Sequence, residues 1–327
     1  MNDVKPIVDS HAPPELVLTI IITCYNTSDL VRDCLNSIYE HPPADTFEII
    51  LVDDASTDGT SEMARASFPE VHLLRNTTNR NYSYSNNRGM DHARGQFVLL
   101  LNNDTIVPPF ALDQMISFLR EHPEAGMVGC KLLNEDGTVQ WSVKALPSPA
   151  AALFGARSIV SKLFPNNRFT RQHLLHIDQD MTQPFVAGFV SGAGAMMPLA
   201  IFEKIGHLDD QFFYHVDADY CKRIAEAGYK CYYLPTASIV HLNHKGGTTA
   251  GLSRRFRSLL KFELDSYRYY RKHIQRSAWS PMQIVVALGL SSHFLALASA
   301  QVCAELASVV RRRSQPSMSI GARANDK

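Results

Sequence analysis

Four segments carry acids or histidines where apolar runs end. The run 47–52 leads into Asp53 and Asp54. Two adjacent carboxylates there can accept hydrogen bonds from a nucleobase N–H and from ribose hydroxyls, while Ser56 or Asp58 has the type that caps a following helix. The run 97–101 ends in Asn102, Asn103 and Asp104. A carboxylate in that place can hold a divalent cation against a diphosphate, because hard cations prefer oxygen ligands. The same three residues also suit a turn. Asp217 and Asp219 stand two residues apart, ahead of a helical pattern at 220–227. One of them can cap that helix and the other is left for proton transfer. Finally, the run closing at Val240 is followed by His241 and His244, and imidazoles placed after an acidic cluster are candidate metal ligands.

These residues need a scaffold that brings strand ends together. The β-branched and apolar runs 16–23, 47–52, 71–74 and 97–101 are short and continuous, as in strands buried on both faces. Helical patterns at 28–39, 61–67 and 84–93 alternate with them. Strands alternating with helices imply βαβ units and a mostly parallel sheet. In such sheets ligands bind beyond the carboxyl ends of the strands, where the acids above are found. No GxGxxG follows the first run and no GxxxxGK[ST] occurs anywhere, so dinucleotide-dependent and P-loop chemistry are disfavoured.

Composition narrows the classes further. Lys plus Arg and Asp plus Glu total 32 each, giving a net charge of 0. That argues against a nucleic-acid binder. The six cysteines form no CxxC pair, so they read as buried reduced thiols rather than a disulfide or zinc framework. Residues 1–15 and 314–327 are polar and read as tails, with a unit at 16–250 and a helical extension at 251–313.

The segments TCYN (23–26), VDDASTDGT (52–60), NRNYSYSNNRG (79–89), GQFVLLLNNDT (95–105), FVSGAGAMM (189–197), GHLDDQFFYHVDADYCKRIAEAGYK (206–230) and VHLNHKGG (240–247) together resemble family 2 glycosyltransferases of the GT-A fold. The similarity is to the bacterial rhamnosyl- and galactofuranosyl-transferase-like branch. The resemblance implies an inverting transfer from a UDP- or dTDP-sugar to a hydroxyl of a glycan or lipid-linked acceptor, in cell-surface polysaccharide synthesis. It implies a Rossmann-like α/β sheet with flanking helices, and Mg²⁺ or Mn²⁺ as cofactor. Carried over by position, Thr23, Tyr25, Asn26, Asp53, Asp54, Asn87 and Asn103 look like donor contacts. Asp104 and His241 look like metal ligands, Asp217 like the base, and Ser191, Gly192 and Asp219 like the acceptor side. The motif around Asp104 begins with the amide of Asn102, which leaves Asp104 as its only acid. A sugar nucleotidyltransferase and an inactive scaffold of a membrane assembly are the competing readings. The first is disfavoured by TCYNTSD in place of a glycine-rich loop.

Residues 282–304 contain no Asp, Glu, Lys or Arg. Their 23 positions suffice to span a bilayer, but Ser291, Ser292 and His293 interrupt them, and Gln301, Glu305, Ser308 and Arg312 form a polar stripe at helical spacing. Upstream, basic residues from Arg254 to Arg276 mix with Phe262, Tyr267, Tyr269 and Tyr270. The pattern suits a helix lying in an anionic membrane surface, which places the protein at the cytoplasmic face of the inner membrane. A true span and a helix packed on protein, including a second copy, are the alternatives.

Overall fold

The computed structural model describes residues 15–140, 142–148, 164, 179–243, 252–275, 277 and 280–314. The readings made for the two tails, for His244 and for the end of the 240–247 motif lie outside these residues.

Four strands build the parallel half of the sheet: β1 (Leu18–Cys24), β2 (Phe47–Asp53), β3 (His72–Arg75) and β4 (Phe97–Asn102). Between them run α1 (Ser28–Glu40), α2 (Thr60–Ser67) and α3 (Tyr82–Met90). After β4 come β5 (Thr105–Ile106), α4 (Ala111–Glu121), β6 (Ala125–Leu133), β7 (Val139–Gln140) and β8 (Val143–Lys144). Then follow β9 (Phe185–Ala187), β10 (Phe189–Val190), β11 (Gly194–Pro198), α5 (Leu199–Ile205), α6 (Val216–Glu226) and β12 (Lys230–His241). The main sheet is ordered β3-β2-β1-β4-β11-β6-β12-β5, with β7 on β6 and β9 on β12. β11 runs antiparallel to both β4 and β6, so β6 and its parallel neighbour β12 point the same way as β1 to β4.

The apolar runs became strands because both faces of each are covered. Ile20, Ile22, Leu99 and Leu101 pack under α1 and α4, while Ile21, Val98 and Leu100 face α5 and α6 on the other side. The alternation follows the period of two along a strand. Helix α1 buries Val31, Cys34, Leu35 and Ile38, and α4 buries Leu112, Met115, Ile116 and Leu119, one stripe each at helical spacing.

Two boundaries differ from the sequence reading. Helix α3 begins at Tyr82, because Asn81 takes a left-handed φ of 77° and its side chain accepts from Tyr84 N. Helix α6 begins at Val216 rather than Tyr220, so Asp217 and Asp219 lie inside its first turns and neither caps it; the N-cap is His215. Acids in a first turn are favoured by the positive end of the helix dipole.

The C-terminal extension is helical as expected: α7 (Leu252–Tyr269), a π-helical turn (Tyr270–Ile274) and α8 (Pro281–Ser314). Helix α8 packs on α7 through Val286 and Leu290 against Tyr270 and Tyr267, and through His293 Nδ1 with Glu263 Oε1 at 2.8 Å. The Gln301 Oε1 is buried. The face opposite Val286, Leu290 and His293 exposes Ile284, Val285, Leu288, Leu295 and Val302. Five of the six cysteines are buried and free; Cys303 is exposed, against the expectation for that residue.

Candidate active site

The carboxyl ends of β1 to β4, β6 and β12 share one edge of the sheet, and the residues singled out from the sequence collect there, Asn87 and Asp219 excepted. Thr23 is aligned with Val52 and Asn102 at that edge. Tyr25 just beyond it is exposed. Asn26 has a φ of 53° and Ala55, after β2, a φ of 69°. A left-handed Ala is uncommon and costs about 1 kcal/mol or more. It survives because the loop is tied on both sides: Asn26 N donates to Ser56 Oγ at 2.9 Å, and Asn26 Oδ1 accepts from Thr57 N at 2.8 Å.

Asp53 has no exposed surface. It accepts from Ser56 N at 2.8 Å and from the Ser61 hydroxyl, and Arg75 Nε lies 3.8 Å away. It therefore holds the loop in shape, and its oxygens do not face solvent. Asp54 is also buried. It accepts from Asn76 Nδ2 at 2.7 Å, from Arg80 N at 2.9 Å and from Asn81 N at 2.9 Å. The two acids thus fix the β2–α2 loop and the segment before α3 as the walls of a cavity of about 470 Å³ lined by Ala55, Ser56, Thr57, Arg75, Asn76 and Thr77. Of these, Arg75, Asn76 and Thr77 were not singled out in the sequence.

The second cluster forms where β12 meets β5. Antiparallel pairing sets His241 opposite Thr105, and Leu242 N donates to Asp104 O at 2.8 Å. This brings His241 Nε2 within 3.3 Å of Asp104 Oδ1, a contact between residues 137 apart that the sequence reading paired. The side chains are 15% and 12% exposed. Asn102 Nδ2 is 3.3 Å from the same ring nitrogen, and Asn103 Nδ2 donates to Thr27 Oγ1 at 2.9 Å. Among the described residues no three His, Cys, Asp or Glu converge as a metal cage. A carboxylate oxygen and an imidazole nitrogen at this separation nevertheless fit one divalent cation, whose other positions fall to phosphate oxygens and water, as is usual for Mg²⁺ at nucleotides.

Asp217 is held at the entry to β11. Ser191, Gly192 and Ala193 enter β11 next to the end of β4, where Asn102 N donates to Ala193 O at 3.2 Å. Gly192 N donates to Asp217 Oδ2 at 3.1 Å, and Tyr82 Oη donates to Gly192 O at 3.1 Å. A Cβ at Gly192 would lie 2.4 Å from Tyr82 Oη and 2.8 Å from Asp217 Oδ1, so any larger residue pushes these groups aside. Burial pushes the Asp217 carboxyl up to about 6, against the opposing pull of the Gly192 N–H and the Lys144 charge. A half-buried carboxylate tuned near neutrality is suited to take a proton from a hydroxyl.

The Glycosyl transferase family 2 model matches residues 19–206, the stretch that carries the β2–α2 loop, Asp104 and Gly192. The chain is a family 2 glycosyltransferase. This glycosyltransferase is 27% identical over 213 residues to the N-acetylglucosaminyl-diphospho-decaprenol L-rhamnosyltransferase of Mycobacterium tuberculosis, covering 62% of this chain and 67% of that protein. It is 28% identical over 202 residues to the O-antigen biosynthesis protein RfbC of Myxococcus xanthus, covering 60% of this chain but 15% of that protein. In fold it is similar to the mannosyltransferase PcManGT of Pyrobaculum calidifontis, solved with GDP-Man and Mn²⁺: TM-score 0.54, 20% identity, 94% of this chain and 85% of that one. GalNAc-T7, solved with UDP, GalNAc and Mn²⁺, gives a TM-score of 0.51 at 14% identity over 85% of this chain and 55% of that one. These likenesses establish the GT-A fold.

Three assignments need correction. Asp53 does not present itself to the donor, because it has no exposed surface and its two oxygens are taken by Ser56 N and the Ser61 hydroxyl. Asn87 does not face the donor side, because its Nδ2 donates to Leu208 O and its Oδ1 accepts from Leu208 N, both at 2.8 Å. Both ends of the amide clamp α3 to the loop before α6. Asp219 is not on the acceptor side. It is fully buried and bonded to Arg223 Nε at 3.0 Å, Lys272 Nζ at 2.7 Å and His273 Nε2 at 2.7 Å, so it anchors the C-terminal extension. Tyr82, by contrast, was quoted within a motif and given no role, yet it seats Gly192 against Asp217.

Proposed function

We propose that this glycosyltransferase moves a sugar from a nucleoside diphosphate to a hydroxyl of a lipid-linked glycan, with inversion at the anomeric carbon. The observation that carries the reading is Asp217, held at Gly192 beside the strand edge that also bears Asp104 and His241. Asp217 accepts the proton of the acceptor hydroxyl as its oxygen bonds to the anomeric carbon. The bond from that carbon to the diphosphate breaks at the same time, and the electron pair leaves with the nucleoside diphosphate. One displacement needs no covalent nucleophile. Asp104 and His241 would hold a divalent cation, which when bound supplies charge stabilisation to the leaving diphosphate. The loops fixed by Asp53 and Asp54 would receive the nucleoside through their backbone and through Ser56, Arg75 and Asn76, with Tyr25 exposed at the rim.

The lipid-linked acceptor is supported by the name of the mycobacterial relative and by α8. One helix among the described residues, over Pro281–Cys303, is long and apolar enough to cross a membrane. Its partner α7 exposes Arg255, Arg257 and Lys261 along its flank, and a crossing would carry those charges toward hydrocarbon. That favours a pair lying on the membrane surface, with Ile284, Leu288 and Leu295 entering the headgroup boundary. Transfer of radiolabelled sugar from a panel of UDP-, dTDP- and GDP-sugars to a polyprenyl-diphosphate glycan, with Mn²⁺, tests the reading. Incorporation with an inverted anomer supports it; retention of configuration refutes it.

A further inference from the structure

The end of β7 reaches His241 through both ends of one side-chain amide. Gln140 Nε2 lies 2.6 Å from His241 O and 2.8 Å from Asn134 Oδ1, and its Oε1 lies 2.8 Å from His241 Nδ1. The backbone carbonyl can only accept, so the amide nitrogen of Gln140 faces it and the amide oxygen faces the ring. The neighbours fix the rest of the hydrogens. Thr138 Oγ1 lies 2.5 Å from Asp136 Oδ1 and donates to it. The Asp136 carboxyl is held below its usual range first by that hydroxyl and then by Thr138 N, so it remains an acceptor. Thr138 Oγ1 therefore accepts from Asn134 Nδ2 at 2.8 Å. That turns Asn134 Oδ1 toward Gln140, which in turn presents an acceptor to His241 Nδ1.

A neutral imidazole has one N–H. With Gln140 Oε1 as its partner, that hydrogen sits on Nδ1, and the Nε2 lone pair points to Asp104 Oδ1 at 3.3 Å. A cation placed between that lone pair and the carboxylate oxygen is attracted by both. The Asn102 Nδ2 contact at 3.3 Å is the interaction the lone pair accepts meanwhile.

We infer that Gln140 is a positioning residue that fixes His241 as the Nδ1–H tautomer, so that Nε2 is presented with Asp104 to a divalent cation. The inference rests on the proposed metal role of Asp104 and His241. Gln140 acts through the ring, as outer partners of metal-bound histidines do. The control originates in the β6–β7 hairpin, about a hundred residues away in sequence from the ligand it orients.

The test uses the full chain with its metal removed, at pH 8.5. Long-range ¹⁵N–¹H correlation reads the His241 tautomer, with His241→Asn identifying the signal. The expected result is a protonated Nδ1 and a bare Nε2 in the wild type, and a mixture of tautomers in Gln140→Met. A protonated Nε2 in the wild type, or an unchanged tautomer in Gln140→Met, overturns the inference. Mn²⁺ uptake is then followed by loss of the free-ion EPR signal. Gln140→Met is expected to weaken uptake ~10–100-fold, and to weaken it no further in a His241→Asn background. Equal losses in both backgrounds would mean a merely structural residue and overturn the inference. A wild type with the Nδ1–H tautomer that takes up no Mn²⁺ overturns the metal reading alone.

Discussion

Asp217 and Asp219 stand two residues apart in the opening turns of α6 and face opposite surroundings. Asp217 meets the Gly192 N–H at 3.1 Å. Asp219 meets Lys272 and His273 at 2.7 Å each. Successive odd positions on a helix point about 200° apart, so one short stretch supplies a reactive carboxylate to the substrate edge and a structural one to the extension.

The two acids should leave opposite marks on stability. Asp217 binds its proton more tightly when folded, up to about 6, so its charged form opposes folding. Its contribution falls as pH rises from the unfolded carboxylate range through about 6. Asp217→Asn should therefore stabilise the chain at pH 7.5, by about 1–2 kcal/mol, and by little at pH 4. Thermal unfolding at the two pH values checks this; a variant destabilised at pH 7.5 would refute it.

Asp219 has the reverse sign. Burial pushes it up, but the hydrogen bonds from His273 and Lys272 and the Arg223 charge outweigh that and hold it below the usual range. Its stabilisation is present above the unfolded range and is lost as pH falls through its folded value. Asp219→Asn removes the charge that Arg223, Lys272 and His273 share, although Lys272 keeps Asp209 at 2.7 Å, and breaking a buried pair of this kind costs ~3–5 kcal/mol. Denaturant unfolding at pH 7.5 should show that loss, shrinking toward acid pH. Protease sensitivity within 252–275 should rise with it.

Gly192→Ala should lower kcat by ~10²-fold or more, the cost of displacing a reacting group by about an ångström, because its Cβ would press on both Tyr82 Oη and Asp217 Oδ1. Steady-state kinetics with a tryptophan-fluorescence check of folding distinguishes displacement from unfolding. Near-normal kcat would contradict the placement of Asp217.

For the metal pair, Asp104→Ala should abolish transfer while the thermal unfolding profile is kept, and EDTA should do the same to the wild type. Activity that survives EDTA would remove the cation from the account. On the membrane side, Leu288→Glu with Leu295→Glu places two charges on the exposed face of α8. It should move the protein from pellet to supernatant with anionic phosphatidylglycerol vesicles, without changing donor hydrolysis.

The sequence made the βαβ half plain because strands buried on both faces leave unbroken apolar runs, as at Ile20–Ile22 and Leu99–Leu101. It made Asp104 and His241 plain through strand-end position, and the β5–β12 register joined them. It hid β11, where Gly194 and Ala195 lack the β-branched signature of a strand. The start of α6 was hidden too, since Phe212 to His215 carry no cap signal. Asn87, Asp219 and Gln140 were misread or unread for one reason: their partners, Leu208, His273 and His241, are far away in sequence, and side-chain type alone does not name a distant partner.

The most direct test of the account is the single-turnover rate of Asp217→Asn at saturating donor and acceptor. The substitution keeps the side-chain shape and removes proton acceptance. The account predicts a loss of ~10²–10⁴-fold in rate with donor affinity within a few-fold of wild type. A rate within a few-fold of wild type would contradict it and return the base to another residue.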